Sequence, residues 1–123
     1  MSSVCILVAD DFPEWRVEAR NLLRVRPDWE VTEASDGREA VQKAAELRPD
    51  IVLLDIGMPI LNGLEAAKKI RETTPGSKLI FLTLNGDNEV KTAALTIGAK
   101  AYLSKSQAQS QLLSTIADAL DAH

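Results

Sequence analysis

Hydrophobic residues occur along this chain in short runs that alternate with segments of helical spacing. The runs with the length of strands cover residues 4–9, 30–34, 51–54, 79–82 and 101–103. Between them, apolar residues recur three and four positions apart, which is typical of helices with one buried face. The clearest faces consist of Trp15, Ala19, Leu22 and Leu23, then of Ala40, Val41, Ala44 and Leu47, and finally of Leu112, Leu113, Ile116 and Leu120. The pattern predicts five strands alternating with five helices.

Prolines and one glycine mark the predicted helix ends. Pro13 stands where the first turn of a helix accepts proline, because that turn leaves its N–H groups unpaired in any case. Pro27, Pro49 and Pro75 follow helical segments and block their continuation. Gly98 can adopt the left-handed conformation that ends many helices.

Alternation of strands and helices indicates βαβ units, and therefore an α/β fold with a parallel sheet covered on both faces. Right-handed crossovers leave few topologies, but periodicity alone does not select the strand order. Ligands of such open sheets bind at the carboxyl ends of the strands. No linker or internal break is visible, so residues 1–123 are predicted to form one domain.

Composition and charge exclude several classes of protein. The net charge is −4 and no basic run occurs, which argues against direct nucleic-acid binding. The single cysteine, Cys5, cannot form an internal disulfide and suits a reducing cytoplasm as a buried apolar residue. No apolar stretch is long enough to span a membrane, and no secretion signal is visible. The chain has a single histidine, His123, and it is the last residue of the sequence. This argues against histidine-based zinc clusters and against Ser-His-Asp catalysis.

Chemically active side chains follow four of the five predicted strands. These are Asp10 and Asp11 after the first strand, Asp55 after the third, Thr83 after the fourth and Lys105 after the fifth. Three carboxylates at one edge repel each other unless a cation or protons intervene, and Mg²⁺ prefers oxygen ligands. A carboxylate nucleophile with a lysine and a hydroxyl for the remaining oxygens fits phosphoryl transfer. The alternative, that each is a surface or helix-capping residue, does not explain their recurrence at successive strand ends.

Four motifs carry a resemblance to a known family. They are "ADD" at 9–11, "LLDIGMPILNG" at 53–63, "FLT" at 81–83 and "AYLSK" at 101–105. With them, the whole chain resembles the receiver domain of two-component response regulators. "LDIGMP" followed by "NGLEA" is similar to receivers of the NarL/FixJ (LuxR) type. The resemblance implies a doubly wound, flavodoxin-like sheet of strand order 2-1-3-4-5 with five helices.

The resemblance also implies an acceptor and a metal site. Asp55 matches the aspartate that accepts the phosphoryl group. Asp10 and Asp11 match the acidic pair that holds Mg²⁺ (or Mn²⁺) directly or through water. Gly57 stands where the family offers a backbone carbonyl to the metal.

Three further roles follow from the resemblance. Thr83 matches the hydroxyl that meets the phosphoryl group and moves in switching, and Lys105 matches the lysine that pairs with a phosphoryl oxygen. Tyr102 matches the aromatic residue that changes rotamer with activation. An alternative for Tyr102 is an ordinary half-buried strand residue whose hydroxyl reaches water.

Two positions depart from the family pattern. Leu84 follows Thr83, where the family usually has a small residue, and its side chain either crowds the approach to the phosphoryl group or points away. Ser106 follows Lys105, where many receivers have a proline with a cis bond before it. A cis bond before serine costs roughly 2.5–4 kcal/mol, so the sequence leaves the geometry of this loop open.

The leading interpretation is a phosphorylation-controlled switch that receives phosphate from a sensor histidine kinase or phosphotransfer protein and is not a turnover enzyme. A Mg²⁺-dependent aspartyl phosphatase is the first alternative, but such enzymes often carry a second carboxylate where this chain has Gly57. The second alternative is an interaction module that does not use phosphate. The intact set of residues at the strand exits argues against that module.

The output of the switch is predicted from the resemblance and from one helical segment. NarL-type receivers usually precede a DNA-binding domain, which favours an excised domain over a stand-alone receiver. The helix at 87–97 has modest helix formers and a stripe of small apolar residues, so we expect the surface of residues 84–104 and the last helix to respond to phosphate. The family also implies that the last helix can pair two receivers.

Overall fold

The computed structural model describes residues 3–84 and 88–121 of the protein. The strands are β1 (Val4–Ala9), β2 (Trp29–Ala34), β3 (Ile51–Asp55), β4 (Lys78–Thr83) and β5 (Ala101–Ser104). The helices are α1 (Pro13–Leu23), α2 (Gly37–Leu47), α3 (Gly63–Thr73), α4 (Asn88–Ile97) and α5 (Lys105–Asp121). Strands and helices alternate in the predicted order. The predicted start of α4 at Asp87, as well as His123, lies outside the described residues.

All five strands are parallel and lie in the order β2-β1-β3-β4-β5. This is the order implied by the resemblance, and the α/β fold predicted from periodicity is confirmed. The chain passes from β1 to β2 on one side of the sheet and then returns to β3 on the other side of β1. The strand order therefore reverses between β1 and β3. The loops that follow β1 and β3 therefore leave the sheet side by side at its carboxyl edge, which is where ligands of such sheets bind.

Side chains of the central strands alternate between two hydrophobic cores. Leu7, Val52 and Phe81 point to the face covered by α2, α3 and α4. Ile6 and Leu53 point to the face covered by α1 and α5. Because both faces are covered, the central strands are apolar without interruption. The site at their ends therefore rests on a rigid, close-packed support.

Most predicted helix ends agree with the structure. Pro13 occupies the first turn of α1, and Gly98 has φ +111° directly after α4. The prediction was wrong for Leu47, which was assigned to the buried face of α2 but is 45% exposed. It is the last residue of that helix, and the chain then turns away through Arg48 with φ 47°. The end of the helix therefore projects past the core that its earlier turns cover.

In the part of the chain that the structure describes, we find no helix with the length and apolar character needed to cross a lipid bilayer.

Candidate functional site

Asp55 is the last residue of β3 and is buried, with 7% of its surface exposed. Burial raises the pKa of its carboxyl group, and the nearby carboxylate of Asp10 raises it further. The ammonium of Lys105 and the backbone N–H of Gly57 act in the opposite direction, and the resulting pKa is about 6. The strand thus holds a carboxylate whose charge is costly because water is largely excluded.

Asp10 is held at the end of β1 by contacts on both of its carboxylate oxygens. The backbone N–H of Phe12 donates to Oδ1 over 2.9 Å. The ammonium of Lys105 lies 2.6 Å from Oδ2, with the two side chains only 1% and 8% exposed. Arg16 donates to the backbone carbonyl of Asp10 over 2.6 Å and to Glu33 over 2.9 Å, which ties this loop to α1 and β2.

The three carboxylates predicted to meet do so. Asp10, Asp11 and Asp55 each offer an oxygen, and these oxygens all lie within 4.8 Å of one another. Oδ1 of Asp11 is buried and has no hydrogen-bond partner among the described residues. A buried carboxylate oxygen without a partner is unfavourable. The donor set and this orphaned oxygen fit a hard divalent cation such as Mg²⁺, which prefers oxygen ligands.

Gly57 lies in the loop that follows Asp55 at the end of β3. Its backbone N–H interacts with the Asp55 carboxylate. A Cβ built on this glycine would meet only Oδ2 of Asp55, at 4.0 Å. The role of its carbonyl as a metal ligand stays a prediction, and close packing is not the reason for glycine here.

The loop between β3 and α3 is fixed close to Asp55 by two features. Asn62 caps α3, because its side chain accepts the N–H of Glu65 over 2.9 Å. Gly63 allows the start of the helix to lie against the strand, since a Cβ there would come within 2.2 Å of the backbone oxygen of Asp55. Asn62 and Gly63 therefore form the start of α3 with a close approach to the site.

The same loop contains an unusual backbone conformation. Ile60 has φ 69°, and the N–H of Leu61 donates to the carbonyl of Pro59 over 2.7 Å. Together they form a γ-turn with positive φ at its centre. A β-branched residue is strained in that region, and its side chain is 76% exposed. The sequence does not reveal this turn, because isoleucine is among the least expected residues for it.

Thr83 and Tyr102 reach the site region on neighbouring strands. Asp55 pairs in register with Leu82 of β4, so Thr83 lies one residue further along that edge, and it is 8% exposed. Tyr102 pairs with Phe81 and packs partly buried against the core that α4 covers. Its hydroxyl oxygen is buried, so the alternative of a hydroxyl in water is wrong.

Lys105 is the first residue of α5 and is 8% exposed. Its helix begins with a capping box: the N–H of Gln107 donates to Oγ of Ser104 over 3.2 Å, and Oε1 of Gln107 accepts the N–H of Ser104 over 3.0 Å. The bond between Lys105 and Ser106 is trans. The spacing Ser-x-x-Gln at 104–107 is a sequence signal for such a start, and it went unrecognised.

An apolar mouth surrounds the lysine. Phe12, Trp15 and Leu84 line a cleft together with Glu14 and Lys105. Phe12 and Leu84 are 48% and 64% exposed. Sequence reasoning assigned Trp15 to an ordinary buried helix face and did not single out Phe12. Helical spacing shows which residues share a face, but it does not show which distant side chain they meet.

Comparison with known proteins identifies what this arrangement is similar to. The sequence profile of the response regulator receiver domain matches residues 6–117. The chain is 36% identical over 112 residues to the nitrate/nitrite response regulator protein NarL of Escherichia coli, covering 90% of this chain and 52% of that protein. It is 38% identical over 101 residues to the chemotaxis protein CheY of Thermotoga maritima, covering 81% and 83% of the two chains.

A solved structure agrees with this assignment. The response regulator domain of Thermotoga maritima CheB has a TM-score of 0.90 and 32% identity, with 98% of each chain covered. This chain spans about half the length of NarL.

Proposed function

The chain belongs to the response regulator receiver domains, and we propose that it is a phosphorylation-controlled signalling switch in which Asp55 accepts a phosphoryl group. The observation that carries this proposal is the meeting of three carboxylates within 4.8 Å beside a buried lysine. A structural ion pair needs one carboxylate for one ammonium. The additional acidic groups have an evident use if a metal ion and a phosphoryl group complete the site.

In the proposed reaction, a carboxylate oxygen of Asp55 forms a bond to phosphorus while the bond from phosphorus to the donor breaks. The leaving group departs with that pair of electrons. With a pKa of about 6, the Asp55 carboxyl group is mostly ionised at neutral pH and needs no base to activate it. The buried strand behind it restricts its motion, which favours attack along one line.

Two other side chains have proposed roles on the transferred group. Lys105 supplies a buried ammonium for one phosphoryl oxygen, and Thr83 supplies a hydroxyl for another. Asp10, Asp11 and Asp55, together with the Gly57 carbonyl, are the residues that would hold Mg²⁺ or Mn²⁺. Such an ion supplies neutralisation of charge on the phosphoryl oxygens.

The proposed partners follow from the family. A sensor histidine kinase or a phosphotransfer protein is the donor, and the exchange takes place in the cytoplasm. The resemblance to NarL supports control of transcription through an output domain outside residues 1–123. We also infer that helix α5 can pair two receivers once phosphate is bound.

The phosphatase alternative receives no support from the site. Gly57 is two residues beyond Asp55, at the position where an aspartyl phosphatase would often carry its second carboxylate. Without a second acid and base, hydrolysis of the aspartyl phosphate is slow compared with turnover in an enzyme.

Intact-mass measurement after incubation with acetyl phosphate tests the proposal. Wild-type protein is expected to gain one phosphoryl group in the presence of Mg²⁺ and none in the presence of EDTA. Asp55→Asn is expected to gain none. Asp118→Asn, the same chemical change at an exposed position on α5, is the matched control and keeps the uptake. Equal uptake by wild type and Asp55→Asn would overturn the assignment.

A further inference from the structure

Two aromatic rings flank the ammonium group of Lys105. Its Nζ lies 5.3 Å from the ring centroid of Phe12 and 5.2 Å from that of Trp15. Both distances are within the range at which a cation is attracted by the face of a ring. The same Nζ lies 2.6 Å from Oδ2 of Asp10. The ammonium is therefore held by one carboxylate and two rings.

Both rings come from the start of α1, which the site itself holds in place. Phe12 precedes the first turn of the helix, and its N–H is bound by Asp10. Trp15 follows three residues later, a spacing that puts two side chains on one side of a helix. Serine, threonine, asparagine and aspartate are favoured at the position of Phe12 because their side chains accept a helix N–H. A half-exposed phenylalanine at this position cannot make that capping bond. Its contact with Lys105 is a reason for phenylalanine to stand there.

The backbone of Lys105 is fixed independently of the rings. The capping box of Ser104 and Gln107 sets the start of α5, and the bond after Lys105 is trans. The fixed backbone does not restrain the long side chain of the lysine. This side chain has four rotatable bonds and loses much conformational entropy when it is ordered. Something must restrain its ammonium if it is to meet a phosphoryl oxygen without rearrangement.

We propose that Phe12 and Trp15 are positioning residues that hold the Lys105 ammonium at the phosphoryl-binding edge of the site. The proposal rests on the proposed function of Asp55 and Lys105 and adds to it a restraint supplied by the loop and first turn after β1. The rings compensate part of the hydration that the ammonium loses on burial, and they leave its N–H groups free to donate. A second carboxylate in their place would hold the lysine more strongly but would compete with the phosphoryl group.

Apolar packing on the stem of the lysine is the competing explanation. Leucine retains apolar bulk and removes the ring, whereas tyrosine and phenylalanine retain the ring. The informative substitutions are therefore Phe12→Leu and Trp15→Leu, with Phe12→Tyr and Trp15→Phe as matched controls. Lys105→Met removes the charge and keeps an apolar stem, so it tests whether the rings act through the ammonium.

The contact itself is tested by NMR of the lysine ε-methylene groups. Ring currents are expected to shift the Lys105 signal away from the signals of the other six lysines, and its assignment is checked with Lys105→Met. The shift should shrink in each leucine variant and persist in the matched ring controls. A Lys105 signal that lies with the others in wild-type protein would overturn the ring contacts, whatever Asp55 does.

The positioning role is tested by the rate of phosphate uptake from acetyl phosphate at saturating Mg²⁺. Each leucine variant is expected to be about threefold slower and the double variant about tenfold slower, while the ring controls keep the wild-type rate. In the Lys105→Met background the leucine substitutions should have no further effect. Equal slowing in both backgrounds would overturn the proposal. Absence of uptake by wild type would instead overturn the proposed function, and the NMR shift distinguishes the two failures.

Discussion

The ammonium of Lys105 lies 2.6 Å from Oδ2 of Asp10, so the lysine of the site is paired with a carboxylate on the first strand exit. The pair joins the end of β1 to the start of α5 across the carboxyl edge of the sheet. Both side chains are buried, which strengthens their attraction and makes the loss of either partner costly. One ammonium beside three carboxylates leaves an excess of negative charge at the edge, and the first two predictions follow from it.

Replacement of Asp55 by asparagine should stabilise the metal-free protein at neutral pH. The pKa of Asp55 is raised from 3.8 to about 6 on folding. As pH rises from 4 to 6, the unfolded chain therefore loses this proton first, and wild-type protein loses stability. The loss is about 2 to 3 kcal/mol above pH 6 and absent below pH 4. Urea denaturation of wild type and Asp55→Asn in EDTA should give unfolding free energies that diverge between these values. Parallel profiles would contradict the shifted pKa.

Magnesium should raise the melting temperature of the wild-type protein. Binding to the folded state alone adds roughly 2.7 kcal/mol at a hundredfold excess over the dissociation constant. Asp11→Ala should reduce the effect, because it removes the carboxylate whose Oδ1 is buried without a partner in the described chain. Differential scanning calorimetry with millimolar Mg²⁺ and with EDTA measures both. A melting temperature that Mg²⁺ leaves unchanged would argue against a metal site among these carboxylates.

Leu84→Ala should speed phosphorylation of Asp55 by small donors and the subsequent hydrolysis. Leu84 lines the mouth of the site with Phe12 and Lys105, and an alanine there would open the approach. An increase of about threefold corresponds to roughly 0.7 kcal/mol of barrier. Mass spectrometry over time gives both rates. Leu47→Ala, the same change at an exposed position on α2, is the control, and unchanged rates in Leu84→Ala would show that its side chain does not limit access.

Phosphorylation of Asp55 should change the conformation of the surface formed by residues 84–104 and by α5. Ala94 is the buried member among the described residues of α4, so little apolar area secures this helix, and it follows the strand that ends in Thr83. A shift of the Thr83 hydroxyl towards the phosphoryl group would displace the first residues of α4. Amide hydrogen exchange with and without beryllofluoride is the measurement. The largest changes are expected in 84–104, and their appearance in α2 with 84–104 silent would refute this output route.

Ile60→Gly should stabilise the protein by about 1 kcal/mol. The φ of 69° at this position is unfavourable for a β-branched side chain, and glycine adopts it without strain. The greater freedom of glycine in the unfolded chain offsets part of the gain. Ile60→Ala is the matched control, since it removes the exposed side chain but retains Cβ and most of the strain. Equal unfolding free energies for the two variants in urea would show that the γ-turn is not strained.

Much of the fold is encoded locally. Strands buried on both faces require continuous apolar runs, and helices on a sheet require one apolar stripe, so the composition of each segment indicates its type. Parallel strands then bring their carboxyl ends to one edge. For this reason the positions of Asp10, Asp11, Asp55 and Lys105, each directly after a predicted strand, are enough to predict that they share one site.

Other properties of the site depend on contacts between residues far apart in the sequence. Lys105 pairs with Asp10 and lies beside two rings because the successive registers of β1, β3, β4 and β5, together with the position of α1, bring these side chains together. The positive φ of Ile60 belongs to the γ-turn closed by the N–H of Leu61 on the carbonyl of Pro59, and it opposes the preference of isoleucine. Periodicity describes which side of a segment is buried. Partners and backbone angles are decided by packing across segments, and only the tertiary structure contains that information.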